Sequence, residues 1–90
     1  MQNKKINNFP TYVLLKTKTV SVTTDSNGTV NFPISDVAYT NFVNAFVSGV
    51  NSNVCAIPFS WGTNRFLRFE DGNHATLANK TYSLIIAYLE

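Results

Sequence analysis

Residues 19–32 decide the predicted fold, and they read Thr-Val-Ser-Val-Thr-Thr-Asp-Ser-Asn-Gly-Thr-Val-Asn-Phe. β-Branched residues alternate with polar ones on both sides of the Asn-Gly pair, which is the pattern of two half-buried strands. An Asn-Gly pair between alternating segments is a strong hairpin signal because both residues tolerate positive φ. We therefore predict a strand from Tyr12 to Thr23, a turn at 25–28 and a partner strand at 29–34, with Pro33 near its end.

Three segments of the carboxyl-terminal half continue the strand pattern. Residues 54–59 are continuously apolar, which predicts a strand covered on both sides and a buried Cys55, with Pro58 at the strand end. Residues 65–70 follow a turn around Gly62, so they are predicted to form a hairpin with 54–59. Residues 81–89 predict a last strand, one face of which carries Tyr82, Leu84, Ile86 and Tyr88.

Residues 39–50 are ambiguous. Their apolar side chains recur at spacings of three and four, which is typical of an amphipathic helix. Leu, Glu, Lys and Arg are all missing from this segment, and Ala45 is its only strong helix former. A strand is therefore preferred here, and a short helix at 39–50 remains the alternative.

Six strands separated by turn residues predict an all-β fold, a small antiparallel β-sandwich of jelly-roll-like type. Ninety residues suffice for one core, so residues 11–90 are expected to be a single domain. Residues 1–10 are rich in Asn and Lys and are expected to be a flexible tether or linker. A core this small gives a thin margin of stability, which oligomerisation would reinforce.

The charge pattern argues against nucleic-acid binding. The net charge is +2 and charged residues make up only 13% of the chain. Most of the basic residues form three pairs that are distant from one another in sequence, Lys4 with Lys5, Lys16 with Lys18, and Arg65 with Arg68. No clustered cationic surface is therefore expected. The chain also has no secretory signal and no apolar run of membrane-spanning length, so we expect synthesis in a cytoplasm without a signal peptide, and no membrane insertion.

Residues that could perform chemistry are few. His74 is the only histidine and Cys55 the only cysteine, too few for a cysteine- or histidine-based metal site. The segment at 70–73 lacks the further oxygen ligands of a calcium loop. No pair of carboxylates and no nucleophile with a positioned base is selected by spacing. We therefore expect no enzyme activity, no cofactor and no metal.

The candidate recognition residues lie around the fourth and fifth predicted strands. Trp61, in a turn with Gly62, either stacks on a ligand or plugs one end of the core. Arg65 and Arg68 are an odd number of positions apart, so they are expected on opposite faces of a strand. The tentative ligand-binding set is Trp61, Asn64, Arg65, Arg68 and His74.

The order of several segments resembles the small terminal domains of tail fibre and baseplate proteins from phages and prophages of Firmicutes. These segments are Val-Ser-Val-Thr-Thr-Asp-Ser-Asn-Gly at 20–28, Val-Cys-Ala-Ile-Pro-Phe at 54–59, a Trp and aromatic hairpin, Leu-Ala-Asn-Lys-Thr at 77–81, and a final strand ending Tyr-Leu-Glu at 90. The resemblance covers roughly Leu15 to Glu90.

The resemblance implies a receptor-binding head that belongs to a virion, a phage tail in particular. It further implies a homo-oligomer, with a trimer favoured, that recognises a host-surface carbohydrate or protein. Two other functions remain open. The chain could be a structural or assembly module of a virion, such as a capsid decoration or baseplate part, or a monomeric carbohydrate-binding module.

Overall fold

The structure is a computed structural model that describes residues 14–49 and 53–90. Six strands in this part of the chain form two antiparallel sheets of three strands each. The strands are β1 (Leu15–Thr23), β2 (Thr29–Asn31), β3 (Phe42–Val47), β4 (Cys55–Trp61), β5 (Asn64–Glu70) and β6 (Thr81–Leu89). The predicted all-β fold class is confirmed. The tether predicted at 1–10 lies outside the described residues.

Sheet A has the strand order β1-β6-β3. β1 and β6 pair along their full length, from Leu15 opposite Leu89 to Thr23 opposite Thr81. Alternation assigns the two faces, because Val22 of β1 and both Leu84 and Ile86 of β6 are buried, while the residues between them are more exposed. The last strand therefore lies where the sequence predicts it, with the predicted face turned inward.

Sheet B has the strand order β2-β5-β4. β4 and β5 form the predicted hairpin, whose register runs from Cys55 opposite Glu70 to Trp61 opposite Asn64. β2 pairs with the other edge of β5, where Val30 lies opposite Leu67. β5 is therefore the central strand of sheet B and pairs with both the short strand β2 and the longer strand β4.

One hydrophobic core lies between the two sheets. Its fully buried side chains come from both, Leu84 and Ile86 from β6 and Leu67 and Phe69 from β5. The ring of Phe69 stacks on Tyr82 across the sheets, with 5.3 Å between centroids. The central strand of each sheet thus supplies the most buried side chains of the core.

The ambiguous segment is a strand with a short helical turn before it. A 3₁₀ turn covers Tyr39–Asn41, and β3 follows directly at Phe42–Val47. A bulge between Phe42 and Asn44 lets Phe42, Ala45 and Val47 all face the core. The apparent helical spacing arises because β3 carries apolar residues on both faces: Phe42 and Val47 pack against the core, while Val43 and Phe46 are exposed.

The predicted hairpin of β1 with β2 is wrong. The chain does turn at 25–28, but β1 pairs with β6 in sheet A and β2 pairs with β5 in sheet B. The turn therefore carries the chain across the core from one sheet to the other. Gly28 is needed at this crossing, since its φ is +76° and a Cβ there would lie 3.1 Å from the backbone nitrogen of Leu77.

The predictions for β4 are partly wrong. β4 continues through Pro58 to Trp61, and Cys55 is exposed instead of buried. The reason is the position of β4 at the edge of sheet B, where a proline is tolerated and only one face meets the core. The continuous apolar run reflects an outer sheet face that carries Ile57 and Phe59, not burial on both sides.

Thr24 joins the segment that leaves β1 to the segment that precedes β6 by hydrogen bonds. Its buried hydroxyl donates to the carbonyl of Leu77 at 2.6 Å and accepts from the N–H of Lys80 at 2.9 Å. Thr24→Val keeps the shape but leaves both backbone groups without this partner. We expect a loss of about 1–3 kcal/mol in the free energy of unfolding, measured by chemical denaturation. Thr24→Ser keeps the hydroxyl and is the control, and equal losses in both variants would contradict this role.

Candidate functional site

An open cleft of about 990 Å³ lies beside the β4–β5 hairpin. One wall comes from the turn at 25–28 and from β2, and the other comes from the hairpin tip. Tyr39 also lines the cleft. Four of the five predicted recognition residues line the cleft, namely Trp61, Asn64, Arg65 and Arg68, whereas His74 does not.

Trp61 stands at the tip of the hairpin, where it is the last residue of β4 and pairs with Asn64. Between them lies a two-residue turn in which Gly62 has a φ of +61°. The indole is 77% exposed. The interpretation of Trp61 as a plug over the core is therefore wrong, and its aromatic face is available at the rim of the cleft.

Arg65 holds the hairpin tip against the rest of the fold. Its Nη1 donates to the carbonyls of Gly62 at 3.0 Å and Asn64 at 3.1 Å. The guanidinium also lies 5.4 Å from the ring centroid of Tyr39. Tyr39 packs edge-on against Phe32 at 5.3 Å. A planar cation fixed on three sides restricts the turn beside Trp61 before any ligand arrives.

Arg68 lies on the outer face of sheet B, on the opposite side of β5 from Arg65. Its guanidinium covers the ring of Phe59 at 4.9 Å, and Phe59 stacks on Phe66 at 5.8 Å. The Nε of Arg68 lies 2.9 Å from a carboxylate oxygen of the buried Glu70, but its N–H is not aligned for a hydrogen bond. The charge of Arg68 is thus balanced by Glu70. The guanidinium and the rings of Phe59 and Phe66 form one packed cluster on the outer face of sheet B.

Asp25 shapes the polar wall of the cleft. Its Oδ1 accepts from the N–H groups of Asn27 at 2.8 Å and Thr29 at 2.9 Å, and its Oδ2 accepts from the Thr29 hydroxyl at 2.7 Å. The Thr29 hydroxyl, followed by the Thr29 N–H, lowers the pKa of the Asp25 carboxyl from its ordinary value. The cleft also presents neutral amides and hydroxyls from both walls, those of Asn27, Asn31, Asn64, Thr63 and Thr76.

His74 occupies a separate loop that repeats the design of the turn at Asp25. Asp71 Oδ1 accepts hydrogen bonds from the N–H groups two and four residues later, those of Asn73 and Ala75. Asp25 Oδ1 accepts from the same two positions after it. His74 has a φ of +65° where the first turn has Gly28. Its ring is 88% exposed and lies 3.3 Å from Glu70. The structure therefore places His74 in a turn outside the cleft.

The residues that the sequence interpretation missed are Asp25, Asn31, Tyr39 and Phe66. Asp25 was visible only as a turn residue, and Asn31 as the polar partner in an alternating strand. Tyr39 and Phe66 could not be found from the local sequence, because nothing local distinguishes an aromatic residue beside a cleft from one inside a core. Their placement depends on register between distant strands, for example Asn31 opposite Phe66.

No group of three or more His, Cys, Asp or Glu side chains is placed to hold a metal ion within residues 14–49 and 53–90.

In the same part of the chain, no helix is long and apolar enough to cross a membrane.

Comparison of the chain with protein-family models, with curated proteins and with solved structures found no match.

The lowered pKa of Asp25 predicts a pH effect at the cleft wall. The ionised carboxylate stabilises the fold fully above the unfolded-state pKa of about 3.9, and this contribution is lost as the pH falls through the lowered folded-state pKa. Asp25→Asn should thus unfold at a lower temperature at pH 7, with the difference from the wild type shrinking below about pH 4. Thermal unfolding from pH 7 to pH 2 measures this. Asp36→Asn, in another exposed turn, is the control, and a constant difference for Asp25→Asn would contradict the prediction.

Proposed function

We propose that this chain is a receptor-binding head of the phage tail fibre or baseplate type, and that its cleft binds a host-surface glycan. The observation that carries the proposal is the exposed face of Trp61 beside a wall of neutral amides and hydroxyls. Sugar rings present apolar C–H faces that stack on an aromatic ring, and hydroxyl groups that exchange hydrogen bonds with amides and hydroxyls. The cleft places both kinds of group together.

Rigidity of the rim supports the proposal. Ligand binding to mobile loops is weakened by the entropy lost on ordering them. Here the turn next to Trp61 is held by two hydrogen bonds from Arg65 and by the contact of its guanidinium with Tyr39. The opposite wall is held by the three hydrogen bonds to Asp25. A shallow site of this kind gains affinity from being formed in advance.

Several copies of such a head would bind a cell surface more tightly than one, because each further contact becomes intramolecular. This is the reason to expect an oligomer in a virion, for which the resemblance favours a trimer. The second function is a structural module of a virion without a host ligand. The apolar side chains that sheet A exposes, including Leu15 and Phe46, favour an assembly role for that face.

Trp61→Ala tests the glycan-binding function. A glycan array of bacterial surface polysaccharides identifies a bound glycan, and isothermal titration calorimetry measures its affinity. The variant should bind about thirtyfold more weakly, because truncating an aromatic residue that anchors a ligand costs about 2 kcal/mol. Circular dichroism should show an unchanged fold, since Trp61 is 77% exposed.

The matched control is His74→Gly. This substitution removes another exposed ring from a turn, relieves a positive φ and lies outside the cleft. It should bind like the wild type. Equal affinity of the wild type and Trp61→Ala would contradict the proposed site, and wild-type silence on all glycans and host cells would favour the structural module.

A further inference from the structure

The outer face of sheet A, which we call face A, differs from every other broad surface of the described chain. It consists of the residues of β1, β6 and β3 whose side chains alternate away from the core. They are Leu15, Thr17, Thr19, Ser21, Thr23, Asn44, Phe46, Thr81, Ser83, Ile85, Ala87 and Leu89. None of them is charged. The outer face of sheet B, by contrast, carries Arg68 and Glu70.

Apolar side chains concentrate on face A and its edges. Among the described residues the large exposed hydrophobic side chains are Leu14, Leu15, Val43, Phe46, Trp61 and Leu89. Only Trp61 of this group belongs to sheet B. Leu15 lies directly opposite Leu89, and Phe46 lies directly opposite Ile85. These two pairs, with Ala87 between them, make one apolar area across all three strands.

We propose that face A binds the same face of a second copy of this chain, so that two copies pair through a two-fold axis. A face without charge meets its own copy without repulsion, whereas a partner selected by charge would find nothing to recognise on it. A single self-complementary patch closes naturally into a pair related by a two-fold axis. Sheets packed face to face lie about 10 Å apart, which suits side chains of the size of Leu, Ile and Phe.

The size of face A agrees with a weak pair. Nine-residue strands span about 30 Å and three strands about 14 Å, so the flat area is about 400 Å² in each copy. Both copies together reach about 800 Å² before the relief of the side chains is added, which is below the 1,200 Å² or so of stable interfaces. The pair is therefore expected to be weak and to form only at high protein concentration.

The experiment is sedimentation velocity of the full chain at roughly 10 to 300 µM, a range that reaches the high concentrations that a weak pair requires. The wild type should move from the mass of one chain, 10.0 kDa, towards twice that mass as its concentration rises. Ile85 lies at the centre of face A, between Thr19 and Phe46. Ile85→Lys and Ile85→Glu should each remain single, because each brings like charges together across the axis. An equimolar mixture of the two should pair again.

The matched control is Ile57→Lys, which makes the same change on the outer face of sheet B. It should pair like the wild type, and circular dichroism with thermal unfolding checks that every variant is folded. A wild type that stays single throughout the range would overturn the proposal, whether face A is then covered by residues 1–13 or by another protein. A mass of three chains would overturn the pair and support the trimer that the resemblance favours, and pairing retained by Ile85→Lys would overturn the pair as well. None of these outcomes depends on glycan binding by the cleft, because Ile85 and Trp61 lie on opposite sheets.

Discussion

The arrangement depends on one constraint: two of the connections between the sheets, β1 to β2 and β5 to β6, lie at the same end and hold each other by hydrogen bonds. The first crossing lies at 24–28 and the second at 76–80. Thr24 hydrogen-bonds to the second crossing through its N–H and its hydroxyl. Asn79 donates in return to the carbonyl of Asp25 at 3.0 Å, and Gly28 allows the close approach of Leu77. With both crossings fixed, β1 is brought to β6 and β2 to β5, and the core lies between them.

This constraint explains which predictions from the sequence succeeded. Strands and turns follow from local patterns, so β1, β5 and β6 and the turn at Asp25 could be predicted from alternation and turn residues alone. The pairing of β1 could not, because an Asn-Gly turn specifies a reversal of the chain and not which edge each strand then meets. The hydrogen bonds that decide the pairing join residues more than fifty positions apart, such as Thr24 and Lys80. No local pattern contains that information.

The candidate site was predictable to a similar extent. Trp61, Asn64 and Arg65 belong to one hairpin, so proximity in sequence already placed them together. The far wall arrives through the pairing of β2 with β5, which brings Asn31 opposite Phe66. The prediction that Cys55 is buried was wrong for a related reason. An apolar run such as 54–59 is consistent either with a doubly covered strand or with an edge strand that has an aromatic outer face, and only the strand order separates the two.

In the two proposals the outer faces have separate tasks, glycan binding for sheet B and pairing for sheet A, and this geometry sets a limit on avidity. A pair joined through face A would hold its two clefts on opposite sides, because each cleft lies along sheet B. Such a pair can bridge two glycan chains, but it cannot lay both clefts on one flat surface. Gains from multivalency require that the geometry permit simultaneous engagement. The affinity of a single cleft therefore matters more than in a ring of parallel heads, and the rigid hold of Arg65 on the turn beside Trp61 is what that single cleft relies on.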